Sequence, residues 1–390
     1  MQDLRIGVIG VGGRGGLARD AHHPGEGSRL VAGADVSPEA LGNFKEFAGE
    51  EAFVTKDYKA LLAREDIDAV FVTSPDFLHE EQAVAALRAG KAVYLEKPMS
   101  ISVEGCDRIL AAAFETGSKL FVGHNMRHFP VVLKMKELID SGAIGEVQAA
   151  WCRHFISYGG DAYFKDWHSE RRLSSSLLLQ KGAHDIDVLH WLAGGFSKRV
   201  VGMGMLSVYN RCADRRLPDE VGTGPWNADH WPPLSQKKIS PVVDVEDHSM
   251  LLMQLDNGAQ CSYLQCHYTP DAGRNYTFIG TEGRIENEGD WGLCQVKVYN
   301  QRSDAHDQPD AVHHVKPVPG THGGADPRVV AEFIRFVREG AATKTCPVAA
   351  RNAVAAGLLG AESIRAGSEP RDVPPLSQRI LDYFAKGQCG

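Results

Sequence analysis

The first 123 residues alternate between short apolar runs and segments with helical spacing. Leu4–Gly10, Leu30–Asp35, Phe53-Val54, Ile67–Thr73, Lys91–Leu95 and Lys119–Val122 read as strands, because short continuous apolar runs suit strands buried on both faces. Helix patterns separate them. Ser37-Pro38-Glu39 opens one, with serine as N-cap and proline at the first helical position; Leu41, Phe44 and Phe47 mark its buried face. Tyr58–Ala63, Glu80–Ala89 stopped by Gly90, and a helix capped by Ser102 and running to about Thr116 complete the set. Strands alternating with helices predict right-handed crossovers and a parallel, doubly wound α/β sheet.

After about His124 the pattern changes. Helices are expected at Pro130–Asp140 and Gly182–Leu192, among β-rich runs at Glu146–Phe155, Arg199–Tyr209, Val245–Leu255, Ala259–Thr269, Tyr276–Ile279 and Gln295–Tyr299. Asp256-Asn257-Gly258 between two runs is a hairpin signal. The expectation is a first domain over 1–123 and a second, α+β domain over 124–390 built on a mostly antiparallel sheet. Arg211–Val243, rich in Pro, Gly, Trp and charge, reads as a long insertion of the kind that makes lids or interface arms. Helices near Val329–Arg338 and Ala349–Arg365 close the chain.

The 390 residues carry a net charge of -8, which offers no basic footprint for nucleic acid, and no apolar run approaches the ~20 residues of a membrane span. The start of the chain leaves no room for a signal peptide, so a cytoplasmic protein is expected. The eight cysteines are scattered, which favours buried thiols over disulfides or zinc. His313-His314 and His322 lack carboxylate or cysteine ligands at useful spacing, so no metal is expected.

Gly10-Val11-Gly12-Gly13-Arg14-Gly15 fits G-x-G-x-x-G, directly after a strand and before an expected helix. The glycines allow a tight turn and close approach of backbone to a pyrophosphate. Asp35 ends the second strand, 20 residues beyond Gly15, where a carboxylate accepts ribose hydroxyls and repels a 2′-phosphate; NAD is therefore expected over NADP, with Arg14 able to soften that preference by reaching a phosphate. Thr73-Ser74-Pro75-Asp76 face the same edge, and His79 reads equally as a helix-start residue or a ligand. Glu96-Lys97-Pro98 is an unusual way to leave a buried strand. Its X-Pro bond can be cis, and a lysine held at a strand's carboxyl end, where open α/β sheets bind ligands, is a candidate proton-transfer group.

With Gly182-x-His184-x-x-Asp187 added, the chain resembles the Gfo/Idh/MocA oxidoreductase family over nearly its full length; Arg127, Pro130 and Leu138–Gly145 also fit the family pattern. The resemblance implies a Rossmann domain, an open-faced sheet domain that makes a homodimer or homotetramer, and a pyranose or polyol substrate. It adds Ser37, Glu96, Lys97 and Arg127 to the cofactor set. It makes Lys97 the group that orients the reacting hydroxyl and His184 its partner. Lys181 and Asp187 lie three residues either side of His184 and are expected on its helix face, with Asp187 orienting the imidazole. The family often carries an aspartate four residues before this histidine; here that residue is Gln180, which takes no proton, with Lys181 adjacent.

Arg153, His154, Tyr158, Tyr163, Trp167, His168, Arg171 and Arg172 precede this motif. Aromatics suit sugar faces and arginines suit anions, although a solvated basic loop has the same composition. Candidate substrate residues are thus Lys97, Arg153, Tyr158, Trp167, Arg171, Arg172, Gln180 and His184; candidate catalytic residues are Lys97, His184 and Lys181. The leading expectation is an NAD-dependent oxidoreductase acting on a hydroxyl of a sugar, with an anionic sugar in view. The alternative is a redox-neutral NAD-dependent glycoside hydrolase, for which a sulfosugar glycoside is one substrate class. A non-catalytic NAD-binding sensor has no use for both Lys97 and His184.

Overall fold

The structure, a computed structural model, describes residues 2–218, 220, 231–305 and 307–387. The chain forms two compact units: 1–128 with 319–351 and 376–390, and 129–318 with 352–375.

The first unit is built on six parallel strands: β1 (Leu4–Ile9), β2 (Ser28–Ala34), β3 (Phe53–Thr55), β4 (Ala69–Val72), β5 (Ala92–Leu95) and β6 (Leu120–Val122), in the order β3-β2-β1-β4-β5-β6. Every residue of β4 and β5 is buried, which explains their unbroken apolar sequences. The order reverses at β1, so the carboxyl ends of β1 and β4 flank the crevice where doubly wound folds bind ligands. Four α-helices connect the strands: α1 (Pro38–Ala48), α2 (Tyr58–Leu62), α3 (His79–Arg88) and α4 (Val103–Thr116). Ser37 and Ser102 cap α1 and α4 as expected, accepting from Ala40 N and Gly105 N. The segment after the glycine loop differs from expectation. Gly13–Ala21 is a 3₁₀ helix, without a side-chain cap. Three glycines in its first four residues weaken the α conformation there.

The second unit holds a nine-stranded sheet: β7 (Val147–Phe155), β8 (Ser197–Met205), β9 (His248–Leu255), β10 (Gln260–Cys266), β11 (Gly273–Gly280), β12 (Arg284–Glu288), β13 (Cys294–Tyr299), β14 (Ala311–Val315) and β15 (Arg371–Asp372). Its order is β14-β13-β12-β11-β7-β10-β9-β8-β15, antiparallel except where β10 pairs with β7. Helix α5 (Pro130–Asp140), the short helices α6 (Gly159–Tyr163), α7 (Arg171–Ser174) and α8 (Leu177–Gln180), and α9 (Gly182–Ala193) complete this part of the unit. His313 and His314 lie in β14, not in a loop. Residues 219 and 221–230 of the expected insertion lie outside the described residues. Its ends are anchored: Ile239 and Cys212 join a core with Tyr163, Phe164 and Tyr209, and Arg215 donates to the carbonyls of Tyr209 and Ser240.

A single boundary at 123/124 does not describe the units. Helix α10 (Thr321–Glu339) belongs to the first, because Val329, Val330, Phe333 and Phe336 bury against its sheet; the Phe333 ring lies 5.2 Å from Phe71 and 5.7 Å from Phe121. Helix α11 (Pro347–Arg365) and a terminal α12 (Gln378–Gly387), not expected from the sequence, follow. Six cysteines are free thiols, but Cys346 is disulfide-bonded, contrary to the expectation of thiols throughout. Among the described residues no helix is long and apolar enough to cross a membrane, and no cluster of three or more metal-ligating side chains occurs.

Candidate functional site

In the first unit the glycine loop leaves β1 with Gly10 at φ +87°. A Cβ there would stand 2.7 Å from Ser74 N, and one on Gly15 would stand 2.0 Å from Gly10 O, so both positions require glycine. Thr73 closes the turn, its hydroxyl donating to Gly10 O (2.8 Å) and Ile9 O (3.1 Å). Asp35 accepts from Gly12 N (3.1 Å) with one carboxylate oxygen and from Ser37 N (2.9 Å) with the other. The acid is thus fixed between the loop and the start of α1. A Cβ on Gly13 or Gly16 would meet nothing within 4 Å. Bare loop backbone beside a fixed carboxylate is what a pyrophosphate-ribose group needs, so these residues fit a dinucleotide. A cavity of about 1140 Å³ opens here, lined by Val11–Gly16, Asp35, Ser37, Ala40, Asn43 and Phe47, and by Gly320–His322, Asp326 and Pro327. It does not include Thr73–Asp76 or Lys97.

Glu96 and Lys97 leave the carboxyl end of β5, and the Lys97-Pro98 bond is cis. Lys97 is half-buried and Glu96 buried. One Glu96 oxygen accepts the Lys97 amide (2.8 Å) and the other accepts Arg14 Nε (2.7 Å). The two remaining Arg14 nitrogens fork onto Asp326 at 2.7 and 2.9 Å. Burial works against both charges, yet Glu96 and Asp326 hold the guanidinium above its usual value, and hydrogen bonds from His322 and Arg14 hold Asp326 far below the carboxylate range. Arg14 is therefore held by two carboxylates while it also lines the cavity beside the loop.

Three other expected cofactor residues have defined places. The His79 ring nitrogens lie 2.7 Å from Pro98 O and 2.8 Å from Ser74 O, so this buried ring bridges the turns after β4 and β5. The Ser74 hydroxyl donates to Gln82 (2.5 Å). Arg127 is buried and donates to Lys344 O (2.5 Å).

In the second unit Gln180 ends α8, Gly182 begins α9, and Lys181 sits at the break with φ −91° and ψ −40°. Lys181 and His184 are therefore not on one helix, although both are buried, each 8% exposed. Lys181 donates to the Tyr158 hydroxyl (3.2 Å), with its ammonium 5.4 and 5.5 Å from the ring centres of Tyr158 and Tyr163. Burial raises the Tyr158 hydroxyl above its ordinary pKa, so it stays a neutral phenol.

A fully buried acid in this unit, Asp185, was passed over by the sequence reading. Its carboxylate lies 2.9 Å from His154 Nδ1 and accepts from Tyr263 OH (2.9 Å), Arg274 Nε (2.8 Å) and Tyr276 OH. Burial would raise its pKa, but Arg274 and His154 outweigh that and hold it far below the carboxylate range. Asp187 is fully buried. No sequence spacing marked Asp185, because its partners come from three strands, β7, β10 and β11.

The expected basic cluster is not one group. His154 points to Asp185, while Arg153, next to it on β7, faces the opposite side of the sheet and donates to Asn275 (2.8 Å). Arg171 donates to Asp244 O (2.8 Å) and Arg172 Nε to Glu170 (2.8 Å); both are exposed. Trp167 stacks on His168 at 3.7 Å, and His168 Nδ1 lies 2.6 Å from Asp166.

Residues 4–124 match the family model described as oxidoreductase family, NAD-binding Rossmann fold (Gfo/Idh/MocA), and residues 136–373 match that of the same family's C-terminal alpha/beta domain. The inositol 2-dehydrogenase/D-chiro-inositol 3-dehydrogenase of Halalkalibacterium halodurans is 36% identical over 192 residues, 48% of this chain and 52% of that protein. A 1-carboxy-3-chloro-3,4-dihydroxycyclo hexa-1,5-diene dehydrogenase of Comamonas testosteroni is 33% identical over 196 residues, 49% of this chain and 48% of that protein. The chain spans about half the length of these curated relatives. Levoglucosan dehydrogenase solved with NADH and levoglucosan has a similar structure, with a TM-score of 0.76 at 22% identity, covering 96% of this chain and 100% of that one. Aldose-aldose oxidoreductase from Caulobacter crescentus gives 0.72 at 19% identity over 95% and 100%. At these identities the structural likeness establishes the fold.

Proposed function

The chain belongs to the Gfo/Idh/MocA oxidoreductase family and carries its NAD-binding Rossmann fold, and from that premise we propose that it transfers hydride between a secondary hydroxyl of a neutral sugar or polyol and the nicotinamide of NAD. The observation that carries the reading is the linkage Gly-loop Arg14–Glu96–Lys97. It fixes the Lys97 backbone at a strand's carboxyl end and ties it to the loop that fits a dinucleotide. NAD, when bound, supplies the hydride acceptor. Lys97 Nζ orients the substrate hydroxyl and takes its proton as the C–H bond breaks. The relatives named as acting on inositol and levoglucosan support a polyol or sugar as substrate class.

A neutral substrate is favoured over an anionic one by charge. Arg171 and Arg172 are engaged with neighbouring oxygens, Arg153 faces the far side of its sheet, and Arg274 is shared by two carboxylates. The same sheet side as Arg153 exposes Met203, Met250 and Leu252, and strand register sets Met203 opposite Met250 and places Leu252 two residues along. This apolar patch supports self-association into a dimer or tetramer through the open face.

The glycosidase reading rests on a specific observation. Buried Lys181, three residues before His184, donates to the hydroxyl of half-buried Tyr158, an acid-base couple, and Gln180 stands where the aspartate is common. One assay separates the two. The purified protein is given NAD with neutral polyols, free aldoses and aryl glycosides. Accumulating NADH on the first two supports the dehydrogenase; aglycone release without net NADH, with solvent deuterium entering the sugar, would sink it in favour of hydrolysis.

A further inference from the structure

We propose that Asp326, more than 200 residues away in sequence, is the positioning residue for Lys97, acting through Arg14 and Glu96; this rests on Lys97 being the proton-transfer group.

The contacts form one unbroken chain within the first unit. Asp326 binds Arg14 with both oxygens (2.7 and 2.9 Å), Arg14 Nε binds Glu96 (2.7 Å), and Glu96 accepts the Lys97 amide (2.8 Å). Asp326 and Glu96 are buried, so each carboxylate depends on the shared guanidinium for its charge balance. The fork leaves Arg14 one orientation. Asp326 itself is held from three further sides: Asn125 Nδ2 (3.0 Å), Thr321 Oγ1 (2.9 Å) and His322 Nδ1 (2.7 Å).

The local backbone is built to deliver this acid. His322, Gly323 and Gly324 are all left-handed, with φ of 49°, 62° and 79°. That conformation is unfavourable for histidine. It turns the chain so that Thr321 and His322 both point back to the Asp326 carboxylate four to five residues on. The same residues wall the cavity beside the glycine loop. The C-terminal segment therefore braces the cofactor loop and the strand-end lysine together. The chain of contacts makes the Lys97 backbone respond to a charge outside the Glu-Lys-Pro turn.

Asp326→Asn keeps the shape of the side chain and removes its charge. Amide hydrogen exchange, NADH fluorescence titration and steady-state kinetics are compared with the parent. The expected result is Lys97 amide exchange faster by about tenfold or more, as for a weakened charge-assisted hydrogen bond. The amides of β1 and β4 are unchanged, and the NADH titration separates any change in the cavity that Asp326 borders from the change at Lys97. A fall in kcat by about tenfold with KM for the sugar unchanged completes the signature. Glu96→Gln, which breaks the chain one link closer, gives the same pattern if Asp326→Asn folds poorly. Unchanged exchange at Lys97, or uniform acceleration across residues 4–124, overturns the proposal. The exchange readout needs no substrate, so absence of turnover by the parent protein counts against the proposed function and leaves the positioning result standing.

Discussion

His154 Nδ1 stands 2.9 Å from the Asp185 carboxylate in a space where both side chains are buried, and the imidazole is nevertheless neutral at ordinary pH. Burial pushes its pKa down to about 3, and Arg274 adds to that, against the pull of Asp185. His267, also fully buried, is shifted in the same direction by burial and by His154. In the unfolded chain both histidines titrate near the ordinary value, so on acidification the unfolded state takes up protons first. For His154, stability is therefore whole above about pH 6.5 and falls as pH drops towards 3, by ~1.4 kcal/mol per pH unit, and His267 adds a loss of the same sign. Urea unfolding at pH 7 and pH 5 should show a loss of about 2 kcal/mol from His154, with a further loss from His267. In His154→Gln the loss should be smaller by one histidine's share. A variant as pH-sensitive as the parent would remove His154 from this account.

Asp185→Asn should be among the most destabilising single changes in the second unit. It leaves Arg274 with Asp290 alone (3.1 Å) and weakens the acceptors of two buried tyrosines. Breaking one partner of a buried ion pair costs about 3–5 kcal/mol. Chemical denaturation measures this; a change below about 1 kcal/mol would mean that the network relaxes around the amide.

Lys97→Met should abolish turnover while leaving cofactor binding in place. The change removes the amine but not the Lys97 backbone N–H that Glu96 accepts. Losing a general base costs about 10²–10⁴-fold in rate, so kcat should fall in that range with NADH affinity near that of the parent. Equal loss of affinity and rate would assign Lys97 to binding instead.

The parts legible in the sequence were those whose signals are local. The Ser37 and Ser102 caps each act within one turn, the glycine loop and Asp35 are marked by their own spacing, and each lies where the pattern put it. The continuous apolar runs of β4 and β5 needed only their own residues to be read as doubly buried strands. What was missed depends on pairing across the chain. Asp185 is marked by nothing near it in sequence, since its partners are residues 154, 263, 274 and 276. Arg14 was read from its place in a phosphate loop, but Asp326 arrives from 312 residues away to occupy it. Arg153 and His154 looked like one cluster, and strand alternation sends them to opposite faces. Helix α10 was assigned to the wrong body because amphipathic spacing shows that a helix has a buried face, not which sheet buries it.

Asp35 should set cofactor choice. Both its oxygens already hold backbone amides, of Gly12 and Ser37, so the carboxylate cannot swing away from a 2′-phosphate. Asp35→Ser removes the charge and should shift the ratio of kcat/KM for NAD over NADP towards NADP by ~10–100-fold, as expected when one buried-edge repulsion of about 1.4–2.8 kcal/mol is lifted. Arg14 contributes nothing to this shift, because Glu96 and Asp326 hold it; Arg14→Lys should leave the ratio unchanged. A cofactor ratio that moves with Arg14→Lys would show the arginine reaching the cofactor.

The arginines that looked like an anion site provide the last test. Arg171 and Arg172 are exposed, at 47% and 74% of their side chains, and each is engaged with a neighbouring oxygen. Ion pairs that exposed are worth at most about 1 kcal/mol. An anionic substrate recognised by them would lose about 10²-fold or more in kcat/KM when both are replaced, since a desolvated bidentate contact is worth roughly 1.5–3 kcal/mol. A neutral sugar, which meets neither, should lose less than about threefold. The double variant Arg171→Ala/Arg172→Ala, assayed with neutral polyols and with a sulfonated or carboxylated sugar, separates the cases. Parent activity on the anionic sugar that collapses in the double variant, with neutral polyols left as poor substrates, would replace the neutral reading with the anionic one.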